Sequence, residues 1–358
     1  MLEPRCALRN LAAYRPPLAG RQGLRLDFNE SAVGCSPRVL ECLRQLDSEV
    51  LSRYPEREPV EAQVAQFFGL DPAQVLLTNG VDEAIHLLCD AYLSADTEAL
   101  TVIPSFGMYR LYAEATGAHV IAVPAAQDFA FPAAELLQRI SPRVRLIAIA
   151  NPNNPTGAVA SRQDLLRIIE AAPHAAVLVD EAYFEFYGQT LLDAVGRRPN
   201  LFVARTFSKA YGLAGLRAGM LAGDVAQMDV VRRTASPYNV NAIALACVLE
   251  GLRDQEYVNS YIAEVRRNAA RLERELAGLG LPYWPSQANF MLVHAGERPR
   301  QFVEALRSRG ILVRDRSADA GCEGCVRITI GTDAQTTQLI TVLREVAPQF
   351  AAKQGASA

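Results

Sequence analysis

The sequence has no long apolar run. Neither its start, MLEPRCALRN, nor any later segment in its 358 residues offers an apolar stretch suited to a secretory signal or the roughly 20 apolar residues of a membrane span. It also lacks an excess of charge of one sign. With 36 Lys and Arg against 39 Asp and Glu, the net charge of −3 supplies no basic field to hold nucleic acid or an anionic membrane. A cytoplasmic protein with no nucleic-acid and no membrane partner is expected. Cysteines are few, odd in number and scattered: Cys6, Cys35, Cys42, Cys89, Cys247, Cys322 and Cys325 argue for reduced thiols over a disulfide framework. Cys322 and Cys325 form a lone CxxC without a second pair or nearby histidines, so it reads as a loop feature and no metal is expected. The nucleotide loops GxxxxGK[ST] and GxGxxG are missing as well, since Gly212, Gly215 and Gly219 match neither spacing.

What is present is an ordinary globular composition, 50% hydrophobic and 21% charged, in a chain longer than one typical domain. A large domain with a smaller companion is expected. Short apolar runs read as buried strands: VLLTN (75–79), ALTVI (99–103), HVIAV (119–123), VRLIAIA (144–150), AAVLVD (175–180) and LFVART (201–206). Between them VDEAIHLLCDAYL, MYRLYAEATG and SRQDLLRIIEAA space their apolar residues as helices do. That alternation predicts an α/β fold with a mainly parallel sheet. From about residue 242 the texture changes to a long helical stretch ending near GLG, followed by the strand candidates ANFMLV and CVRITIG, which predicts a second, α+β domain.

In open parallel sheets ligands gather at the carboxyl ends of the strands. There VLLTN runs into Gly80, Val81 and Asp82 at a helix start, where free backbone N–H groups favour a phosphate. VRLIAIA ends in NPNNPTG (151–157), AAVLVD delivers Asp180, and LFVART delivers RTFSKAYGLAGLRAG with Lys209 and Arg217. Taken singly, each has a plainer reading: a turn-rich connection, a helix cap, a solvated lysine, a tight glycine loop. Together they suit one reagent, pyridoxal phosphate. Its aldehyde needs an amine (Lys209), its phosphate needs hydroxyls and a cation (Thr206, Ser208, Arg217), and its ring nitrogen needs an anion (Asp180).

At this point the chain resembles the fold-type I, aspartate aminotransferase-like enzymes over nearly its entire length, and among them the histidinol-phosphate aminotransferases. The resemblance runs through LDFNE (26–30), RYPE (53–56), TNGVDEAIHLL (78–88), PSFGMY (104–109), NPNNPTG, VDEAYFEF (179–186), TFSKAYGLAGLRAG and GILVRDR…CVRITIGT (310–332). It implies a three-layer α/β/α large domain and a smaller α+β domain. The boundaries expected are an N-terminal arm at 1–30, a large cofactor-binding domain at 31–245, a small domain at 246–350 and a tail at 351–358. The first roughly 20 residues could instead join the small domain.

The resemblance makes Lys209 the lysine that links covalently to the cofactor and Asp180 the partner of its ring nitrogen. It gives Asn154 and Tyr183 the ring's phenolic oxygen and sets Phe106 against the ring face. It brings Gly80, Val81, Asp82, Thr206, Ser208 and Arg217 to the phosphate. Tyr54 would reach the cofactor phosphate of a neighbouring subunit, implying a homodimer with shared sites. Tyr14, Asn29, Arg314 and Arg327 would hold the substrate. Three departures stand out: SAVGC after Asn29-Glu30 where the family has a proline, RYPEREP without the usual glycine, and SPYNVN at 236–241. They leave the cofactor residues intact and bear on the substrate. The expected reaction moves an amino group from histidinol phosphate to 2-oxoglutarate. Alternatives are an aromatic or other amino-acid aminotransferase, a phosphothreonine-type decarboxylase and a catalytically idle ligand sensor.

Overall fold

Runs of β-branched and aliphatic residues buried on both faces build the central sheet. The computed structural model describes residues 2–9, 11–17 and 20–350, so the tail expected at 351–358 lies outside the described residues. A short strand β1 (Leu24–Arg25) comes first, followed by β2 (Val75–Thr78), β3 (Glu98–Ile103), β4 (His119–Pro124), β5 (Val144–Ala150), β6 (Ala176–Asp180), β7 (Leu201–Thr206) and β8 (Gly219–Gly223). The last seven form one sheet in the order β2-β8-β7-β6-β5-β3-β4. Pairing is parallel from β7 through β4, whereas β8 runs antiparallel to both β2 and β7. Helices cover both sides, with one apolar core on each side of the sheet. The fold is the three-layer α/β arrangement expected.

The six strands read from apolar runs are all present. Strand β8 is not legible in that way, because Gly-Met-Leu-Ala-Gly has low strand propensity, and only its place between β2 and β7 makes it a strand. The long helical stretch is also divided. It forms two helices, Ala242–Arg253 and Gln255–Gly278, separated at Asp254, whose carboxylate caps the second by accepting from the Tyr257 N–H.

A second sheet combines β9 (Tyr283–Trp284), β10 (Phe290–His294), β12 (Arg314–Asp315) and β13 (Cys325–Thr329), while β11 (Ile311–Leu312) pairs in parallel with β1. Its own core includes Met291, Phe302, Ile328 and Leu343. The change of core falls inside the helix Gln255–Gly278: Val265 packs with the large sheet, and Leu272 packs with the small one. Cys322 and Cys325 are buried with Leu292 against Trp284 and Phe129.

Candidate active site

A cavity of about 500 Å³ opens at the carboxyl ends of the parallel strands, lined from below by Ala150, Asp180 and Thr206 and from the side by residues near β1, β12 and β13. The register explains the convergence. Asp180 ends β6 opposite Ala150 on β5 and Ala204 on β7, so consecutive strand ends present their side chains at one level.

Asp180 is buried and accepts two hydrogen bonds, from the Ala182 N–H at 3.0 Å and from the Tyr109 hydroxyl at 2.6 Å. Burial pushes its pKa up to about 6, and those two donors limit the rise. Behind it, Glu181 and Arg205 form a buried ion pair at 2.8 Å that joins the end of β6 to β7, and Thr190 donates to the same carboxylate. Tyr183 is also buried, and its hydroxyl accepts from the Asn29 side-chain amide at 2.9 Å. Asn29 is fixed in a left-handed conformation (φ 54°) by bonds with Thr329.

Lys209 reaches the same space from the loop after β7, donating to the Phe28 carbonyl at 3.0 Å, with Nζ 5.9 Å from the Tyr183 ring centre. Burial, reinforced by the nearby Arg327 charge, lowers its pKa to about 8. Thr206 and Ser208 line the cavity beside it, and the Thr206 hydroxyl accepts from the Ser208 N–H at 3.1 Å. Arg217, left-handed at φ 56°, pairs with Asp82 at 2.9 Å over the start of the helix Gly80–Tyr92. Gly80 itself does not line the cavity. It has φ 76°, and a Cβ there would stand 2.6 Å from the Arg217 guanidinium, so only glycine lets that cation lie across the helix start. Val81, Asp82 and Phe106 line the cavity as expected.

The small sheet contributes cations. Arg327 is buried, donates to the Asp27 carbonyl at 2.8 Å and makes a very short contact with the Asn154 side-chain oxygen. Burial lowers its pKa to about 10. The NPNNPTG loop that carries Asn154 is pressed against this sheet, since a Cβ on Gly157 (φ 73°) would fall 2.1 Å from the Ser286 hydroxyl. Arg314 stands directly opposite Arg327 in the antiparallel pairing of β12 with β13, and its guanidinium lies 5.3 Å from the Phe28 ring centre. Tyr14, half exposed, lines the cavity too.

Of the residues singled out in the sequence, Tyr54 alone stands apart from this constellation. It is 77% exposed and stacked on Tyr238 at 4.3 Å, away from the cavity of its own chain. The sequence reading missed Tyr109, Arg316 and Asp319. Tyr109 lies in the first turn of the helix Met108–Thr116, just after Phe106, and the two rings meet edge to face at 5.8 Å. Arg316 follows Arg314 by two, the period that keeps side chains on one face of a strand. Asp319 carries no such signal.

An amine, a buried carboxylate, two hydroxyls, a cation over a helix start and a glycine-made cradle fit pyridoxal phosphate group by group. Comparison with known proteins agrees. The family model described as aminotransferase class I and II matches residues 21–343. The chain belongs to that family. It is 36% identical to the histidinol-phosphate aminotransferase of Thermoanaerobacter sp. (strain X514), over 90% of this chain and 92% of that protein. The crystal structure of histidinol-phosphate aminotransferase from Sinorhizobium meliloti in complex with pyridoxal-5'-phosphate is 27% identical, with a TM-score of 0.86 and 92% of each chain covered. An L-threonine-O-3-phosphate decarboxylase from Porphyromonas gingivalis, 24% identical with a TM-score of 0.78 over 90% of this chain and 98% of that one, shares the fold.

Proposed function

We propose that the chain transfers an amino group from histidinol phosphate to 2-oxoglutarate, giving glutamate, with pyridoxal phosphate as cofactor and in the cytoplasm. The observation that carries the substrate is the cross-strand pair Arg314 and Arg327. Like charges directly opposite each other destabilise a sheet unless something anionic lies between them. Two guanidiniums on one cavity wall take a phosphate through charge-assisted, bidentate bonds, and a substrate with a phosphate and no α-carboxylate uses both. Tyr14 and Asn29 complete the substrate side.

When bound, the cofactor supplies an aldehyde that links to amines and a protonated ring that accepts the electrons left when a proton leaves the neighbouring carbon. Asp180, as a carboxylate, would hold the proton on the ring nitrogen. Asn154 and Tyr183 would orient the phenolic side, Phe106 would cover the ring, and Thr206, Ser208, Arg217 and the Gly80–Asp82 helix start would hold the phosphate. Lys209 is the covalent anchor. Its pKa near 8 as a free amine leaves a usable share of neutral Nζ at neutral pH, which would let it take the proton from the substrate's carbon.

The exposed Tyr54–Tyr238 stack supports a homodimer in which Tyr54 reaches the partner subunit's cofactor phosphate. The N-terminal arm at 1–30, the large domain at 31–245 and the small domain at 246–350 are the proposed units, with residues 246 to about 265 packing on the large core before the helix Gln255–Gly278 crosses to the small one.

A panel of phosphorylated and free amines assayed with 2-oxoglutarate tests this reading. The expected result is the highest kcat/KM with histidinol phosphate. Higher efficiency with aromatic amino acids, or carbon dioxide released in place of glutamate formed, would reassign the enzyme to another aminotransferase specificity or to the decarboxylases.

A further inference from the structure

The end of the cavity that holds Arg314 and Arg327 contains a third guanidinium and one carboxylate. Arg316 leaves β12 on the same face as Arg314, its backbone N–H donating to the Cys325 carbonyl at 3.0 Å, and both arginines line the cavity. A turn closed by the Asp319 N–H to the Arg316 carbonyl at 2.9 Å brings Asp319 back onto Arg316, and their side chains form a very short ion pair. Three buried nitrogens, Arg314 Nη1, Arg316 Nε and Arg327 Nε, have no hydrogen-bond partner among the described residues. The other carboxylate lining this region, Glu30, is already held by Arg21 at 2.9 Å and by Arg25. Asp319 therefore answers for three cations alone.

The charge count is decisive. Three guanidiniums less one carboxylate leave two positive charges, the complement of a phosphate monoester dianion. Orphaned guanidinium donors in a buried site are costly until an acceptor arrives. Asp319 does not satisfy them, because its ion pair is with Arg316 Nη2 and it makes no bond to Arg316 Nε, Arg314 or Arg327. Its side chain is 31% exposed against 14% for Arg316, with the Oδ2 that meets Arg316 buried, so displacement turns that oxygen outward along a path already open to solvent.

We propose that Arg316 is a third phosphate-binding residue and that Asp319 is its resident counter-ion, displaced from Arg316 by the arriving phosphate. The assignment rests on the substrate reading given above. It adds a specificity device, since a dianion outcompetes Asp319 for Arg316 whereas a single carboxylate gains little by the exchange. Asp319 thus discriminates against monoanionic donors as well as screening the unloaded site.

The test uses the cofactor-loaded enzyme, whose cofactor phosphate site is already filled, and titrates it with inorganic phosphate and, separately, acetate at fixed ionic strength. Arg316→Gln is expected to weaken phosphate binding by about tenfold or more, as for loss of a charge-assisted bond, and Arg316→Lys to recover part of it. Asp319→Asn is expected to tighten both anions, acetate by the larger factor, narrowing the preference for phosphate. Cofactor absorbance confirms that each variant is folded. Phosphate affinity unchanged within about twofold in Arg316→Gln, or weakened in Asp319→Asn, would overturn the proposal. A wild-type enzyme that binds phosphate in the expected pattern and fails to turn over histidinol phosphate would retire the substrate reading while leaving the roles of Arg316 and Asp319 in place.

Discussion

The Tyr109 hydroxyl donates to Asp180 Oδ2 at 2.6 Å, and both groups are buried. The bond favours the charged carboxylate, so Tyr109 is a positioning residue that opposes the rise in pKa that burial imposes on Asp180.

Replacing Tyr109 by Phe removes that donor and leaves the ring packing. The carboxylate then loses a donor that favours its charged form, so the acid limb of the kcat profile moves to higher pH. KM for the donor stays near the wild-type value. Asp180→Asn, by contrast, loses about 10²–10³-fold in kcat across the whole range, as for removal of one preorganised electrostatic partner. A Tyr109→Phe profile that is uniformly scaled down and unshifted would show the tyrosine to be packing only.

Lys209 gives a second pH dependence, measured on the apoenzyme as the rate of covalent capture of added pyridoxal phosphate. Only the neutral amine attacks. With the pKa lowered to about 8 by burial, capture rises with pH and levels off above that value, in place of climbing until about 10.5. At pH 7 about a tenth of the amine is neutral, against about one part in three thousand for an unshifted lysine. A midpoint near the unshifted value would contradict the buried setting.

Arg205→Met tests the scaffold beneath the site. It leaves Glu181 buried without its cation, which costs about 3–5 kcal/mol when a buried pair loses one member. Chemical denaturation of the apoenzyme reads this directly. The paired change Arg205→Met with Glu181→Leu should recover much of the loss; no recovery would mean that Thr190, Glu185 and the Phe184 ring, which also surround the guanidinium, dominate.

Arg314→Ala addresses the substrate. The variant should bind cofactor normally and raise KM for histidinol phosphate by about tenfold or more, because it removes ground-state binding at the phosphate end. Visible absorption of the bound cofactor and initial rates separate the two effects. Unchanged KM would place Arg314 at a strand end with no substrate role.

Local patterns in the sequence covered most of the frame. Six buried strands stood out as apolar runs, and the residues after them, Asp180, Thr206, Ser208 and Lys209, fell at one end because parallel strands share a polarity. Strand β8 escaped, since its glycines and alanine are strand-like only through their neighbours. Tyr109 escaped for a related reason, whereas Asp319 meets Arg316 only three residues away, in a turn that no motif marks. The Tyr109 contact is set by tertiary placement, 71 residues from Asp180 in sequence, and no spacing rule reaches that far. Arg314 and Arg327 were visible as a pair of charges, but their face-to-face register comes only from the pairing of β12 with β13.

The most direct test of the central claim compares glutamate formation from histidinol phosphate and 2-oxoglutarate by the wild-type protein and by Lys209→Ala. The wild type should be yellow, lose that colour on borohydride reduction, and form one glutamate for each amine consumed. Lys209→Ala should keep its fold, form no covalent link to the cofactor and turn over no substrate. Oxo-acid-dependent glutamate formation at a wild-type rate in Lys209→Ala, or none in the wild type, would contradict the account.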